Sequence, residues 1–294
     1  MSDEAFEFVV VLPDAALADE ATTLVGFERR YARLKKDLVL LADPAALETW
    51  AKREYGAVPP IVSRVQQRCP LFALEGDVGN GKTAFARCAA SRLCADLNKD
   101  GNLYALSTRV RGSGRVGEAS TRINAAFERV VADLGKNRFG FLLIDEADSL
   151  VTSRGEEHSH LEDKVAVNTI IQKVDDLRRH GGRLVVFLAT NRIATLDAAV
   201  LRRAAAVETF ARPDENERRE LLAQDLTGLG ITATTLDAAV ARSGAHNGSP
   251  GYTFSDLRTR VLPRILASAF PDRKIADEDV LGALNDVKPS PVVR

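Results

Sequence analysis

The sequence predicts an α/β fold: a parallel sheet with helices packed on it, followed by a smaller all-α unit. Three observations predict it. Short apolar runs at Leu71–Leu74, Leu103–Leu106, Phe141–Ile144, Leu184–Ala189 and Val207–Phe210 are separated by amphipathic helical patterns. Strands covered by helices on both faces read this way. A glycine-rich stretch, Gly76–Thr83, links the first run to a helical pattern, and beyond Arg212-Pro213 the strand signals stop.

Taken in order, residues 1–60 read as an N-terminal helical segment. Phe27, Tyr31, Leu34, Leu38 and Leu41 fall on one helical face, preceded by Val25-Gly26, and Pro59-Pro60 should end the helix that contains Trp50. This segment is too short for a separate N-terminal domain. A helix from Lys82 to Leu97 follows the glycine-rich stretch and takes Cys88 into its apolar face beside Ala84 and Phe85. A second helix carries Ile123, Ala126, Phe127, Val130, Val131 and Leu134 at i, i+3, i+4, i+7 spacing. A third carries Leu161, Val165, Ile170, Ile171, Val174 and Leu177. Residues 214–286 read as helices at Glu215–Leu226, Leu236–Ser243, Phe254–Ala269 and Asp277–Asp286, and the tail from Lys288 is expected to be loose. The expected division is therefore a large α/β subdomain over 1–212 and a small helical unit over 213–294.

Composition narrows the function classes. The 294 residues carry 40 Lys and Arg against 41 Asp and Glu. That balance argues against a dedicated nucleic-acid or membrane-surface binder. The cysteines Cys69, Cys88 and Cys94 are odd in number and lack C-x-x-C spacing, so neither a disulfide framework nor a zinc site is expected. No apolar run reaches the length of a transmembrane helix. The acidic start, Met1-Ser2-Asp3-Glu4, lacks the basic region of a signal peptide, which makes the cytoplasm the expected location.

Gly76-Asp77-Val78-Gly79-Asn80-Gly81-Lys82-Thr83 fits G-x-x-x-x-G-K-[ST] at every fixed position, between an apolar run and a helical pattern. This strand–loop–helix setting is what a phosphate-binding loop requires. The glycines let backbone N–H groups turn inward around phosphates. Lys82 would reach the β- and γ-phosphates, and the Thr83 hydroxyl would sit on Mg²⁺. Phe141-Leu-Leu-Ile144-Asp145-Glu146 is a buried-type strand ending in two acids, which fall at the ligand crevice of a parallel sheet. Asp145 would complete the Mg²⁺ shell with Thr83, and Glu146 would polarise an attacking water. Asn191 ends the next strand and could orient that water; Asn is otherwise a turn former there. Arg202-Arg203 follows an apolar turn. The pair reads either as a solvated helix end or as an arginine finger aimed at a neighbouring subunit.

Loop, acidic strand, strand-end Asn, arginine pair and helical tail occur in the order seen in AAA+ ATPases. Gly251-Tyr-Thr-Phe-Ser-Asp256-Leu257-Arg258 is similar to the helix that carries the second sensor in the AAA+ lid. The resemblance runs from about residue 20 to about residue 270. It implies an ATP hydrolase that uses Mg²⁺ and assembles as a homo-oligomeric, usually hexameric, ring. It also implies a nucleotide-contacting set of Val25, Gly26, Gly76–Thr83, Ala84 and Arg258. Within that family, Asp163–His180 and Asp148–Arg154 resemble the pachytene-checkpoint (thyroid-receptor-interacting) remodellers. Those proteins partly unfold HORMA-domain proteins, and compact bacterial relatives act beside second-messenger synthases in anti-phage defence. The resemblance thus implies a HORMA-domain client. Three positions depart from the family. Arg115 stands in Arg115-Val116-Gly117 where a pore aromatic is expected, Ala205 replaces a second finger arginine, and Ser255 occupies the usual sensor-two position. The pore stretch reads as a peptide grip, as a solvated loop or, with Arg109 and Arg111, as a track for phosphates. The last reading keeps a nucleic-acid-dependent AAA+ ATPase, a loader or transposition helper, as the alternative function. The polar stretch Ser153–His160 reads as a solvated second pore loop, because His158 and His160 lack further zinc ligands nearby.

Overall fold

A computed structural model describes residues 5–106, 118–134, 138–147, 161–180, 182–196, 198–246 and 248–292. The chain forms two compact units. One comprises Met1–Thr23, Phe27–Glu75 and Thr83–Thr209; the other comprises Leu24–Gly26, Gly76–Lys82 and Phe210–Arg294. The second unit thus begins at Phe210 and gathers two short segments, one of them most of the glycine-rich loop.

Among the described residues the sheet has six strands in the order β1-β3-β4-β5-β2-β6: β1 (Phe6–Leu12), β2 (Leu71–Gly76), β3 (Gly101–Leu106), β4 (Phe139–Ile144), β5 (Leu184–Thr190) and β6 (Ala206–Phe210). The pairs β3–β4, β4–β5 and β5–β2 are parallel. Every residue of β4 and β5 is buried, as two-sided coverage demands of unbroken apolar strands.

The helical reading of residues 1–60 needs correcting at both ends. Phe6–Leu12 is a strand, paired antiparallel with β3 in the register Val10↔Leu103 and Leu12↔Gly101. Its alternation of half-buried Phe6, Phe8 and Val10 with exposed Glu7, Val9 and Val11 is the period of a one-sided strand at a sheet edge. Four helices follow: α1 (Ala15–Thr23), α2 (Phe27–Ala42), α3 (Pro44–Tyr55) and α4 (Pro60–Gln66). The Trp50 helix does not run to Pro59-Pro60. Gly56, at φ 73°, donates its N–H to Lys52 O and ends α3, and Pro60 opens α4 instead. At the other end of α3, Asp43 Oδ1 caps the helix by accepting from Ala46 N at 3.0 Å.

Helices α5 (Lys82–Leu97), α6 (Glu118–Leu134), α7 (Leu161–Asp176) and α8 (Ala198–Leu201) complete this unit. Ile123, Ala126, Phe127, Val130 and Leu134 of α6 join Ile170, Ile171 and Val174 of α7 in one core. That core also takes Tyr104, Leu142, Ile144, Val186 and Leu188 from three central strands. Cys88 and Cys94 are buried in α5, where burial pushes both thiols up to about 12, so they stay protonated as core residues.

The second unit contains α9 (Glu215–Asp225), α10 (Ala233–Arg242), a π-helical segment (Asp256–Val261), α11 (Leu262–Ala269) and α12 (Asp277–Asp286). A capping box starts α9: Glu217 N donates to Asp214 Oδ1 at 2.8 Å and Asp214 N to Glu217 Oε2 at 3.2 Å. Leu221, Leu222, Val240, Tyr252, Leu257, Ile265 and Val280 form its core, and Val25 packs into the same cluster. The segment after α12 is held, contrary to the loose tail expected. The Tyr252 hydroxyl donates to Leu284 O at 2.9 Å and also bonds Val287 O. Ser290 donates to Asp256 from both its amide (3.0 Å) and its hydroxyl (2.6 Å).

Candidate active site

The phosphate loop is built on glycines that no other residue replaces. Gly76 sits at φ 144°, and a Cβ there would lie 2.1 Å from Phe210 O. Gly79 sits at φ 79°, and a Cβ there would lie 2.7 Å from Ser255 Cβ. Both conformations belong to glycine: Gly76 lets backbone approach backbone, and Gly79 leaves space for the Ser255 and Thr253 side chains. Lys82 is buried, with Nζ donating to Gly76 O at 2.8 Å and to Asp77 O at 3.0 Å. The ammonium is therefore drawn over the loop, where phosphate oxygens can replace the carbonyls as acceptors. Asn80 donates from Nδ2 to Phe210 O at 3.3 Å, while its buried Oδ1 has no hydrogen-bond partner among the described residues. The Asp77 carboxylate accepts from Arg212 Nε at 2.9 Å and Nη2 at 2.5 Å.

In the sheet unit, Thr83 Oγ1 donates to Asp145 Oδ2 at 2.6 Å. These two oxygens are hard donors of the kind Mg²⁺ takes, one carboxylate and one hydroxyl. Asp145 Oδ1 accepts from Glu146 N at 2.8 Å, which fixes the carboxylate from its other oxygen. Glu146 is exposed and sits at φ 48°, a left-handed conformation rare outside glycine. The pairs Ile144↔Leu188 and Glu75↔Thr190 put β5 between the acidic strand and the phosphate-loop strand. Half-buried Asn191 follows β5 directly, and the Thr190 hydroxyl accepts from Arg192 N at 3.0 Å.

The two arginines after α8 part company. Arg202 is exposed. Arg203 turns inward: Nε and Nη2 each meet a different Asp175 oxygen at 2.9 Å, and Nη1 donates to Ala199 O at 2.8 Å. In the helical unit Arg258 faces Asp225, with Nε to Oδ2 at 2.8 Å, and reaches Gln224 Oε1 at 3.3 Å. It is Ser255, at the usual sensor-two position, that meets the phosphate loop, donating its N–H to Gly79 O at 2.9 Å. Val25 lies buried in the helical core, Gly26 turns at φ 73°, and Ala84 is half-buried in the first turn of α5. Arg109, Arg111, Arg115, Val116 and Gly117, and the stretch Ser153–His160, lie outside the described residues.

Sequence reasoning missed Arg212. A carboxylate at Asp77, inside a loop built for anions, was the available signal that a cation had to stand beside it. Asp256 was also missed. Burial alone would raise its carboxyl, but hydrogen bonds from the Ser290 hydroxyl and amide, the Thr253 amide and Arg260 outweigh burial and bring it to about 2.

A parallel sheet, a glycine loop with buried Lys82, and Thr83 on a strand-end Asp145 define a nucleotide-binding core of the ATPase class. Consistent with this, residues 72–212 match the model of the ATPase family associated with various cellular activities (AAA). CD-NTase-associated protein 6 of Escherichia coli strain KTE188 is 44% identical over 289 residues, covering 98% of this chain and 97% of that protein. The chain belongs to the CD-NTase-associated protein 6 family. Its fold superposes on a structure of the E. coli MS115-1 HORMA:CdnC:Trip13 complex with TM-score 0.93 at 36% identity, covering 99% of this chain and 98% of that one. It superposes on Rhizobiales Trip13 with TM-score 0.75 at 32% identity, covering 97% and 99%.

Proposed function

We propose that this chain hydrolyses ATP with Mg²⁺ in a homo-oligomeric, hexameric ring in the cytoplasm. The energy remodels a HORMA-domain protein and so regulates an anti-phage second-messenger system. The observation that carries the catalytic half is the 2.6 Å contact between Thr83 and Asp145 with Glu146 directly beyond it. The client half rests on family membership and on the likeness to a Trip13 solved in complex with a HORMA protein and CdnC.

The chain's own residues divide the work. Backbone N–H groups of Gly76–Gly81 and the Lys82 ammonium bind the triphosphate. Val25, Gly26 and Ala84 belong to the nucleotide-contacting set. Thr83 and Asp145 would hold Mg²⁺, which when bound neutralises phosphate charge. Glu146 accepts the proton of the attacking water, and Asn191 orients that water. Arg202, exposed and at the finger position, serves a neighbouring subunit's γ-phosphate; Arg203, tied to Asp175, sets the turn that presents it. Arg115, Val116 and Gly117 are assigned to the client in the pore. Arg258 supports the lid helix, and Ser255 is the lid residue that reports to the phosphate loop. The nucleic-acid alternative rests on Arg109, Arg111 and Arg115 alone, and the net balance of charge weighs against it.

The test is Glu146→Gln, measured for ATP binding, turnover and retention of a purified HORMA-domain protein. The variant should bind ATP as the wild type does, lose turnover by ~100-fold or more, and hold the client on a sizing column in ATP. Wild-type turnover in the variant would remove Glu146 from the mechanism, and failure to hold the client in ATP would remove the remodelling assignment.

A further inference from the structure

The helical unit contains a run of contacts that ends on the phosphate loop and has no part in the chemistry above. Arg212 stands at its centre. Besides the two bonds to Asp77, Nη1 donates to Gly251 O at 2.5 Å and Nη2 to Pro291 O at 3.1 Å. The Arg212 and Asp77 side chains are only 15% and 12% exposed. One guanidinium therefore joins the loop, the residue that opens the sensor-helix motif, and the segment after α12. Asp256 makes a second connection between the same parts. It takes Ser290 on one side and the Thr253 amide (3.1 Å) on the other, two residues before Ser255 donates to Gly79 O.

The charge arithmetic gives these contacts a consequence. Asp77 is a carboxylate in the turn that has to accept a polyanion. Partly shielded from water, an uncompensated negative charge there opposes phosphate binding. Arg212 cancels it with a planar, delocalised charge held against the carboxylate. Two of its three remaining donors are taken by Gly251 O and Pro291 O, which hold the planar fork on Asp77.

We propose that Arg212 is a positioning residue for nucleotide binding, and that the Ser290–Pro291 segment acts through it as a latch on the phosphate loop. With the segment seated on Asp256 and Arg212, Asp77 is neutralised and the loop is set for a triphosphate. With the segment displaced, Arg212 is less firmly held, Asp77 repels phosphate and affinity falls. The inference rests on Gly76–Thr83 being a triphosphate site.

The experiment measures affinity of the full chain for a slowly hydrolysed ATP analogue in wild type, Arg212→Ala, Arg212→Lys, Asp77→Asn and the Asp77→Asn/Arg212→Ala double variant. It also follows hydrogen exchange of the backbone amides. Arg212→Ala should weaken binding ~10-fold or more and Arg212→Lys less, and Asp77→Asn supplies the reference from which the double variant is read. The double variant should return to within about threefold of wild type, because removing both charges removes the conflict. Ser290→Glu sets a carboxylate against Asp256. It should speed exchange over residues 288–292 while α9 and α10 stay protected, and weaken the analogue as Arg212→Ala does. Wild-type affinity in a folded Arg212→Ala, or a double variant no tighter than Arg212→Ala, overturns the proposal. So does unchanged affinity in Ser290→Glu when the 288–292 amides exchange faster. A wild type that binds no triphosphate would instead overturn the site itself.

Discussion

Glu146, the proposed acceptor of the water's proton, sits in a backbone conformation that side chains avoid. At φ 48° a non-glycine residue stores on the order of 1–3 kcal/mol. Glu146→Gly should therefore abolish turnover yet raise the stability of the sheet unit by about 1 kcal/mol, read as a higher urea midpoint. A glycine variant less stable than wild type would mean that the turn is not strained. The placement of Lys82 and Thr83 in the loop and of Asp145 and Glu146 at a strand end was legible in the sequence, because a phosphate loop and a buried strand each impose a set spacing. The arginines were not, because a long charged side chain goes where its partner is. Arg203 finds Asp175 at 28 residues' separation, Arg258 finds Asp225 at 33, and Arg212 finds Asp77 at 135. No local pattern encodes such pairs. The glycines fall between: the motif names them, but only the structure shows that Gly76 is pressed on Phe210 O and Gly79 on Ser255.

At the scale of elements, the central strands announced themselves and the edge strand did not. Buried on both faces, β4 and β5 have no polar interruption to hide them. β1 is buried on one face only, and its Glu7 with the exposed Val9 and Val11 obscured the alternation. The α3 boundary was misplaced because two prolines look like a stop, whereas Gly56 ends the helix and Pro60 begins another. The segment after α12 looked loose because Pro and Ser favour loops, and its anchors, Tyr252, Asp256 and Arg212, are distant in sequence. Those anchors make the helical unit sensitive to acid. Asp256 sits at about 2 when folded and near 4 when unfolded. A depressed carboxyl adds stability above its unfolded value and loses it as pH falls through its folded one. Asp279, held low by Arg273, the Ala276 amide and Ser268, and Asp277, held low by the Thr232 hydroxyl and amide, act in the same direction. The urea midpoint of the helical unit should therefore drop as pH falls from about 4 toward 2, and Asp256→Asn should flatten part of that drop. An Asp256→Asn profile as steep as wild type would mean that the Ser290 contact does not stabilise the unit.

At the scale of the whole molecule, the residues proposed for metal and water chemistry lie in the sheet unit, and most of the phosphate loop lies in the helical unit. Thr83, Asp145, Glu146 and Asn191 belong to the first; Gly76–Lys82, Ser255 and Arg212 belong to the second. The sequence made the nucleotide chemistry plain, and family membership adds the expectation of a protein client. The most direct test is the steady-state ATPase rate of the wild-type chain, measured alone, with a purified HORMA-domain protein from the same system, and with double- or single-stranded DNA. A remodeller of this kind should turn over faster with the HORMA protein, respond little to DNA, and lose the stimulation in Glu146→Gln. Stimulation by DNA that falls steeply with salt, with none from the HORMA protein, would contradict the account and restore the nucleic-acid reading.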